Sequence, residues 1–390
     1  MNDIQRKKHQ MCQLQWECVD TNPGPKSAYH TGTIIGNYLY VHGGLPESSE
    51  KTKKSLNGLY RIQIHPFVGT WTDLTTCDSP ALSQHQCINW KNQLIVFIGG
   101  WTGRTRIPGL HFFNPESGRW LPPALKEPEL RGYPSGAGLS AHTVIPFESD
   151  AKSNSLSSLI FGREGSTRIQ RRRGNAYLLQ GSFRSSSISG LGDVGPAGFK
   201  PRFIYTEAPG ALHIESRSYH TSTPTSHSRV ITIGGRSNST LEVVDLGGMS
   251  HLPPLEFNRA TCDEVTYLLD VDARQPFEAV PVERLKLSGW RGHYAIPGGR
   301  GFLVGGGDGF SALRPDPLDM AYIHAPANNN NNLLSYAGRL RDRRAYAVCS
   351  INPTDSTAWL QGGLGPGMQT LASLMRLQVA KDSEGAATGP

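Results

Sequence analysis

The sequence predicts an all-β protein built from a repeated four-stranded unit, and three observations carry that expectation. Glycine is 44 of 390 residues, against roughly 7% in average proteins, and proline is also raised, a composition of turns and short strands. Apolar strands ending in glycine recur six times: "YLYVHGG" to Gly44, "LIVFIGG" to Gly100, "LIFGRE" with Gly162, "VITIGG" to Gly235, "FLVGGG" to Gly307 and "AWLQGG" to Gly363. A histidine stands upstream of the first five, at His30, His85, His142, His220 and His293, and Tyr346 is read as its counterpart in the sixth.

Each element of the unit follows in order. From the histidine to its first glycine the gap is 13, 14, 20, 14 and 12 residues, the third copy carrying an insertion, "FESDAKSNSLSS". Beyond the glycines comes a third apolar stretch: "LYRIQI", "LHFFN", "AYLLQ", "LEVVDL", "MAYIH" and "LMRLQV". Trp71 and Trp120 mark a fourth strand. Four short strands per unit is the pattern of a propeller blade, because such a sheet buries its faces only against its neighbours. The expected fold is therefore a six-bladed β-propeller with four-stranded antiparallel blades.

Trp16 precedes His30 by 14 residues, as Trp71 precedes His85, so "LQWECVD" has the character of a fourth strand without a blade of its own. It is expected to complete the last blade, which removes an exposed sheet edge and joins the two ends of the chain. The organisation read from this is a disordered segment 1–12, a propeller over 13–380 and a disordered tail 381–390. An insertion at about 247–287 falls in blade four, and an asparagine-rich loop, Asn328 to Asn332, falls in blade five.

Bulk properties narrow the function. The net charge of +7 favours acidic partners without requiring nucleic acid, and "RRRG" lacks the interleaved aromatic platform that single strands need. The six cysteines are scattered, with no CxxC pair, so neither a zinc site nor a disulfide framework is indicated, and a reducing compartment fits. Residues 1–16 hold no apolar core segment, and no run approaches the roughly 18 apolar residues of a membrane span. A monomer in the cytoplasm, or in cytoplasm and nucleus, is the expectation.

"LIVFIGGWTGRTRIPGLHFFNPESGRW", residues 94–120, sets a glycine-paired strand before an aromatic strand and a tryptophan, and it resembles the kelch repeat. "FGREGSTRIQRRRGNAYLL", residues 161–179, is similar in wording and order to the third blade of a kelch protein. The resemblance covers the first three copies well and the glycine strands of the others. It implies a protein-binding propeller without catalytic residues or a cofactor. No BTB or BACK segment of the adaptor branch precedes the blades, and recruitment to a ubiquitin ligase has no support in the residues.

Glycine pairs at equivalent positions read as structural, since they allow positive φ and close strand approach. The histidines read as buried groups bonded nearby, against the sharper alternative of metal ligands converging on a central channel. Trp16, Trp71 and Trp120 read as packing between blades. Trp101 follows a glycine pair directly; it is either a packed rim residue or, with Arg104 and Arg106, a recognition surface.

The five arginines between Arg163 and Arg173 fall between the second and third strands of blade three, on the same face as the Trp101 loop. Guanidinium groups bind carboxylates in a bidentate fork. Arg163, Arg168, Arg171 and Arg172, with Trp101, Arg104 and Arg106, are thus candidates to bind an acidic segment of a partner protein; a solvated turn is the other reading. An enzyme is the rival class. "RIP" at Arg106–Pro108 lacks the aspartate-box turns of sialidases, spacing does not establish a copper radical site, and a sugar mutarotase-like site at the channel mouth stays open.

Overall fold

The computed structural model describes residues 14–19, 22–47, 54–147, 155–162, 176–184, 198–208, 217–226, 229–233, 235–237, 266–270, 279–282, 291–298, 301–307, 319–324, 334–339 and 344–379. Nearly all regular structure in them is β. The first sheet is Thr31–Ile35, Tyr38–His42, Leu59–Ile64 and Phe67–Asp73, hydrogen-bonded in that order. The second is Gln86–Trp90, Leu94–Ile98, Leu110–Asn114 and Arg119–Ala124. The third orders Thr143–Phe147, Ser155–Phe161, Ala176–Arg184 and Lys200–Glu207, and the fourth Thr221–Ser226, Arg229–Ile233, Thr266–Asp270 and Ala279–Val282. His293–Gly298, Gly301–Gly306, Asp319–His324 and Leu334–Arg339 make the fifth. The sixth takes Val348–Ile351, Ala358–Gln361 and Leu374–Val379, and its outer strand is the N-terminal Leu14–Cys18.

Burial explains the apolar runs. Every residue of Leu94–Ile98, a second strand, is buried, because both faces of its sheet are covered by neighbours. The outer strand Phe67–Asp73 has no buried residue. Trp120 joins Tyr40 and Leu59 of the first sheet to Phe97 and Phe113 of the second, and Trp71 packs onto the core shared with Trp359 of the sixth. Each such tryptophan contributes on the order of 2–3 kcal/mol by area removed from water.

The chain ends meet as expected. Leu14–Cys18 pairs antiparallel with Leu374–Val379 in a register that sets Trp16 opposite Leu377. Trp16 also reaches the fifth sheet, its Nε1–H donating to the Tyr294 hydroxyl at 2.8 Å.

A belt of backbone hydrogen bonds ties the inner strands together. The residues just before them, Tyr29, Gln84, Ala141, Tyr219, Gly292 and Tyr346, all have left-handed φ, between 54° and 63°. Gln84 N–H donates to the Tyr29 carbonyl, Ala141 to Gln84, Tyr219 to Ala141, Gly292 to Tyr219, Tyr346 to Gly292 and Tyr29 to Tyr346, at 2.8 to 3.1 Å. The belt closes on itself. A left-handed conformation costs a non-glycine residue about 1–2 kcal/mol, offset here because each turn pairs one backbone donor and one acceptor that would otherwise face the channel.

The structure corrects several expectations. In the sixth copy Val348 pairs with Gln361, which puts Ala347 opposite Gly362; Ala347, not Tyr346, stands where the other copies have histidine. In the fifth copy His293 pairs with Gly306, so the glycine pair is Gly306–Gly307. The third sheet has a fifth strand, Leu130–Arg131, parallel to Phe203–Ile204, rather than four strands. Two strands of the fourth sheet, Thr266–Asp270 and Ala279–Val282, lie inside the stretch 247–287 read as an insertion, while "LEVVDL" falls outside the described residues. The segments 1–12 and 381–390 and the loop Asn328 to Asn332 also fall outside them.

Candidate channel and rim site

The inner strands surround a channel whose cavity has a volume of about 290 Å³. Its wall is built from the belt residues and the three or so that follow each: hydroxyls of Thr31, Thr143, Thr221 and Ser222, the amides Gln84 and Gln86, and the five histidines. No Asp, Glu, Lys or Arg is among the described residues lining it. At one end Tyr29 and Tyr346 stack with ring centroids 4.2 Å apart, and Tyr219 meets both edge-on, at 5.9 and 5.2 Å.

Each histidine is a key between two sheets. A Cβ added to Gly43, Gly99 or Gly162 would lie 2.9 Å from Cε1 of His85, His142 or His220, the histidine of the following sheet, and one on Gly362 would lie 2.8 Å from Cε1 of His30. Only glycine leaves room for the ring. Side-chain bonds then fix most keys. His30 Nε2 meets Gln361 Oε1 at 2.6 Å, His85 Nε2 meets His42 Nδ1 at 2.8 Å, His220 Nε2 meets Thr143 Oγ1 at 3.0 Å and His293 Nε2 meets Thr221 Oγ1 at 2.7 Å.

These rings are held neutral. Burial pushes His30 down to about 4 and His42 and His142 to about 3, and it sets His85 and His220 well below the ordinary imidazole range. Burial likewise raises the Cys87 and Cys349 thiols to about 12, which keeps them protonated and inert. Among the described residues no group of three or more His, Cys, Asp or Glu is placed to hold a metal ion.

Of the rim residues expected to bind a partner, three are described. Trp101 is half-buried, with its backbone bridged to Ser83 and to Arg106. Ser83 directly precedes the belt residue Gln84, so the bridge ties the Trp101 loop to the start of the second sheet's inner strand. Arg104 is exposed and Arg106 half-buried in the same loop. Arg163, Arg168, Arg171 and Arg172 lie outside the described residues. The tyrosine cluster and the belt were not foreseen: the pattern "AYH", "SYH" and "AYA" at residues 28–30, 218–220 and 345–347 carries the signal, hidden by aligning Tyr346 with the histidines.

No family model matches the chain. Over 153 residues it is 29% identical to kelch domain-containing protein 9 of Mus musculus, a match covering 39% of this chain and 40% of that relative's length. The chain thus matches about two-fifths of the curated relative. The solved structure of YjhT superposes on 93% of this chain and 97% of its own with a TM-score of 0.58, at 14% identity, a likeness of fold. No helix among the described residues is long and apolar enough to cross a membrane.

Proposed function

We propose that this chain, a kelch-type β-propeller, is a protein-interaction scaffold: a ring of six blades that binds an acidic segment of a partner over blades two and three without catalysing a reaction on it. The six-part belt, each member bonded to the next and the last to the first, supports the count of blades. The observation that carries the binding reading is the Trp101 loop. A half-buried tryptophan whose backbone is bridged to Ser83 and Arg106, three residues before an exposed Arg104, supports a loop that offers an aromatic and a cation together. The arginine stretch Arg163 to Arg173 follows Gly162, the glycine of the neighbouring third sheet, and supplies further guanidinium groups for carboxylates.

A sugar-converting site at the mouth needs an acid and a base with suitable pKa values. The described lining residues offer neutral imidazoles and no carboxylate, which supports the scaffold over that alternative. The test is titration of a fluorescent glutamate-rich peptide against the wild type, Trp101→Ala, and a variant with Arg168, Arg171 and Arg172 changed to Glu. Binding that falls at least tenfold in both variants is the expected result. Equal binding by all three proteins removes the proposal.

A further inference from the structure

The outer strands of the second and third sheets, Arg119–Ala124 and Lys200–Glu207, enclose a cleft of about 220 Å³. Its apolar walls are four prolines, Pro122, Pro123, Pro128 and Pro201, and the Phe199 ring. Phe199 is locked from behind, stacking on Phe183 with ring centroids 5.4 Å apart and meeting Phe112 edge-on at 5.2 Å. The segment joining the two sheets is tied down as well, since Phe203 N–H donates to the Glu129 carbonyl at 2.8 Å and Leu130–Arg131 runs parallel to Phe203–Ile204. The cleft is therefore pre-formed. Proline on an outer strand ordinarily blunts a sheet edge. That role accounts for Pro122, Pro123 and Pro201 one at a time, but not for their meeting Pro128 and Phe199 around open space.

Three charged side chains complete the lining: Lys200 and Arg202, both exposed, and Glu129, half-buried. Among the described residues none of the three is in an ion pair. Two cations against one carboxylate leave an excess of one positive charge at the border, which a single carboxylate on a ligand would complement. Glu129 is then left as an acceptor for an N–H. Between these groups the surface consists of ring faces, pyrrolidine and phenyl, and it suits a flat apolar body. Proline side chains have no rotamer freedom to lose, and Phe199 has already lost its own, so filling the cleft orders little of the protein.

We propose that this cleft is a binding site for a small, flat aromatic molecule that carries a carboxylate and a ring N–H, the chemistry of an indole carboxylate. The ring lies over Phe199 between the prolines, the carboxylate meets Lys200 and Arg202, and the N–H donates to the Glu129 carboxylate. The site uses none of the rim residues that take an acidic segment, and it does not depend on that reading.

Indole-3-acetate is the probe, with 3-methylindole, which lacks the carboxylate, and 1-methylindole-3-acetate, which lacks the N–H, as its counterparts. Full-length protein carrying ¹³C-labelled proline is titrated with each, and the Pro123 and Pro128 resonances are followed by NMR. A variant combining Lys200→Glu and Arg202→Glu is titrated with indole-3-acetate; both changes fall on exposed side chains and should leave the melting temperature as in wild type. Expected are saturable binding of indole-3-acetate with both proline resonances moved by the ring, at least tenfold weaker binding of 3-methylindole, at least threefold weaker binding of 1-methylindole-3-acetate, and at least a tenfold loss in the variant. The proposal is overturned if indole-3-acetate does not saturate, moves neither proline, binds the variant equally well, or is matched by either counterpart. Should the variant fail to fold, the three wild-type titrations decide it.

Discussion

The seam between the first and second sheets and the seam between the fifth and sixth do the same mechanical work with different parts. At the first, His85 enters the space over Gly43, bonds His42 and lies beside Phe97, all within two sheets that are consecutive in the chain. At the other, Ala347 replaces the histidine, and Tyr294 fills the space beside Gly305 and takes a hydrogen bond from Trp16, a residue 278 positions away. Where the chain runs on from one sheet to the next, a side-chain key suffices. Where the ends must be joined, a whole strand crosses over and brings its own tryptophan, with Glu17 adding an exposed ion pair to Arg376 at 2.8 Å.

Removing residues 1–20 breaks the closing seam outright. Loss of the single cooperative melting transition is the expected outcome in calorimetry, since the sixth sheet loses its outer strand and an open edge appears. Next in size is Gly43→Ala at the keyed seam. The left-handed φ of 70° and the collision of the new Cβ with the Leu82 carbonyl and with the His85 ring together cost about 2–5 kcal/mol, measurable by urea denaturation. Trp16→Ala removes a partly buried ring and its bond to Tyr294, with an expected loss of about 2–4 kcal/mol.

Acid should weaken the keyed seams and leave the closing one. Unfolded imidazole takes a proton near 6.5, whereas folded His30 resists to about 4 and His42 and His142 to about 3. Below 6.5 the unfolded chain therefore binds more protons than the folded one. Stability present above that pH is lost as pH falls toward 3 to 4, by up to about 1.4 kcal/mol per pH unit for each histidine. Denaturation midpoints measured between pH 8 and 4.5 should fall, and replacing His42 by Gln should flatten the slope. The smallest effect belongs to the rim: Arg104→Glu should change stability by less than about 0.5 kcal/mol while weakening peptide capture.

Much of this architecture is written locally and could be read. Glycine at Gly43, Gly99 and Gly362 is demanded by a left-handed φ and by the neighbouring ring and backbone carbonyl, so its recurrence marks every second strand. Trp16, Trp71 and Trp120 announce outer strands by size alone. What was misread depends on contacts across the chain. Tyr346 is not the histidine counterpart of the sixth copy, because the register of Val348 with Gln361 assigns that place to Ala347. Tyr29, Gln84 and Ala141 are not residue types that signal left-handed backbone, and only the closed belt makes that conformation worthwhile. Leu130–Arg131 is too short to register as a strand until Phe203 stands beside it. The third strand of the fourth sheet escaped notice because "LEVVDL" has the better local pattern, yet Thr266–Asp270 takes the place next to Arg229–Ile233.

Amide hydrogen exchange at Tyr29 tests ring closure most directly, because its N–H donates to the Tyr346 carbonyl and so links the first sheet to the last. Protection equal to that of the Gln84 and Ala141 amides, lost only with global unfolding, is the expected result. Exchange at Tyr29 many times faster than at those two would mean that the belt does not close, and the ring with it.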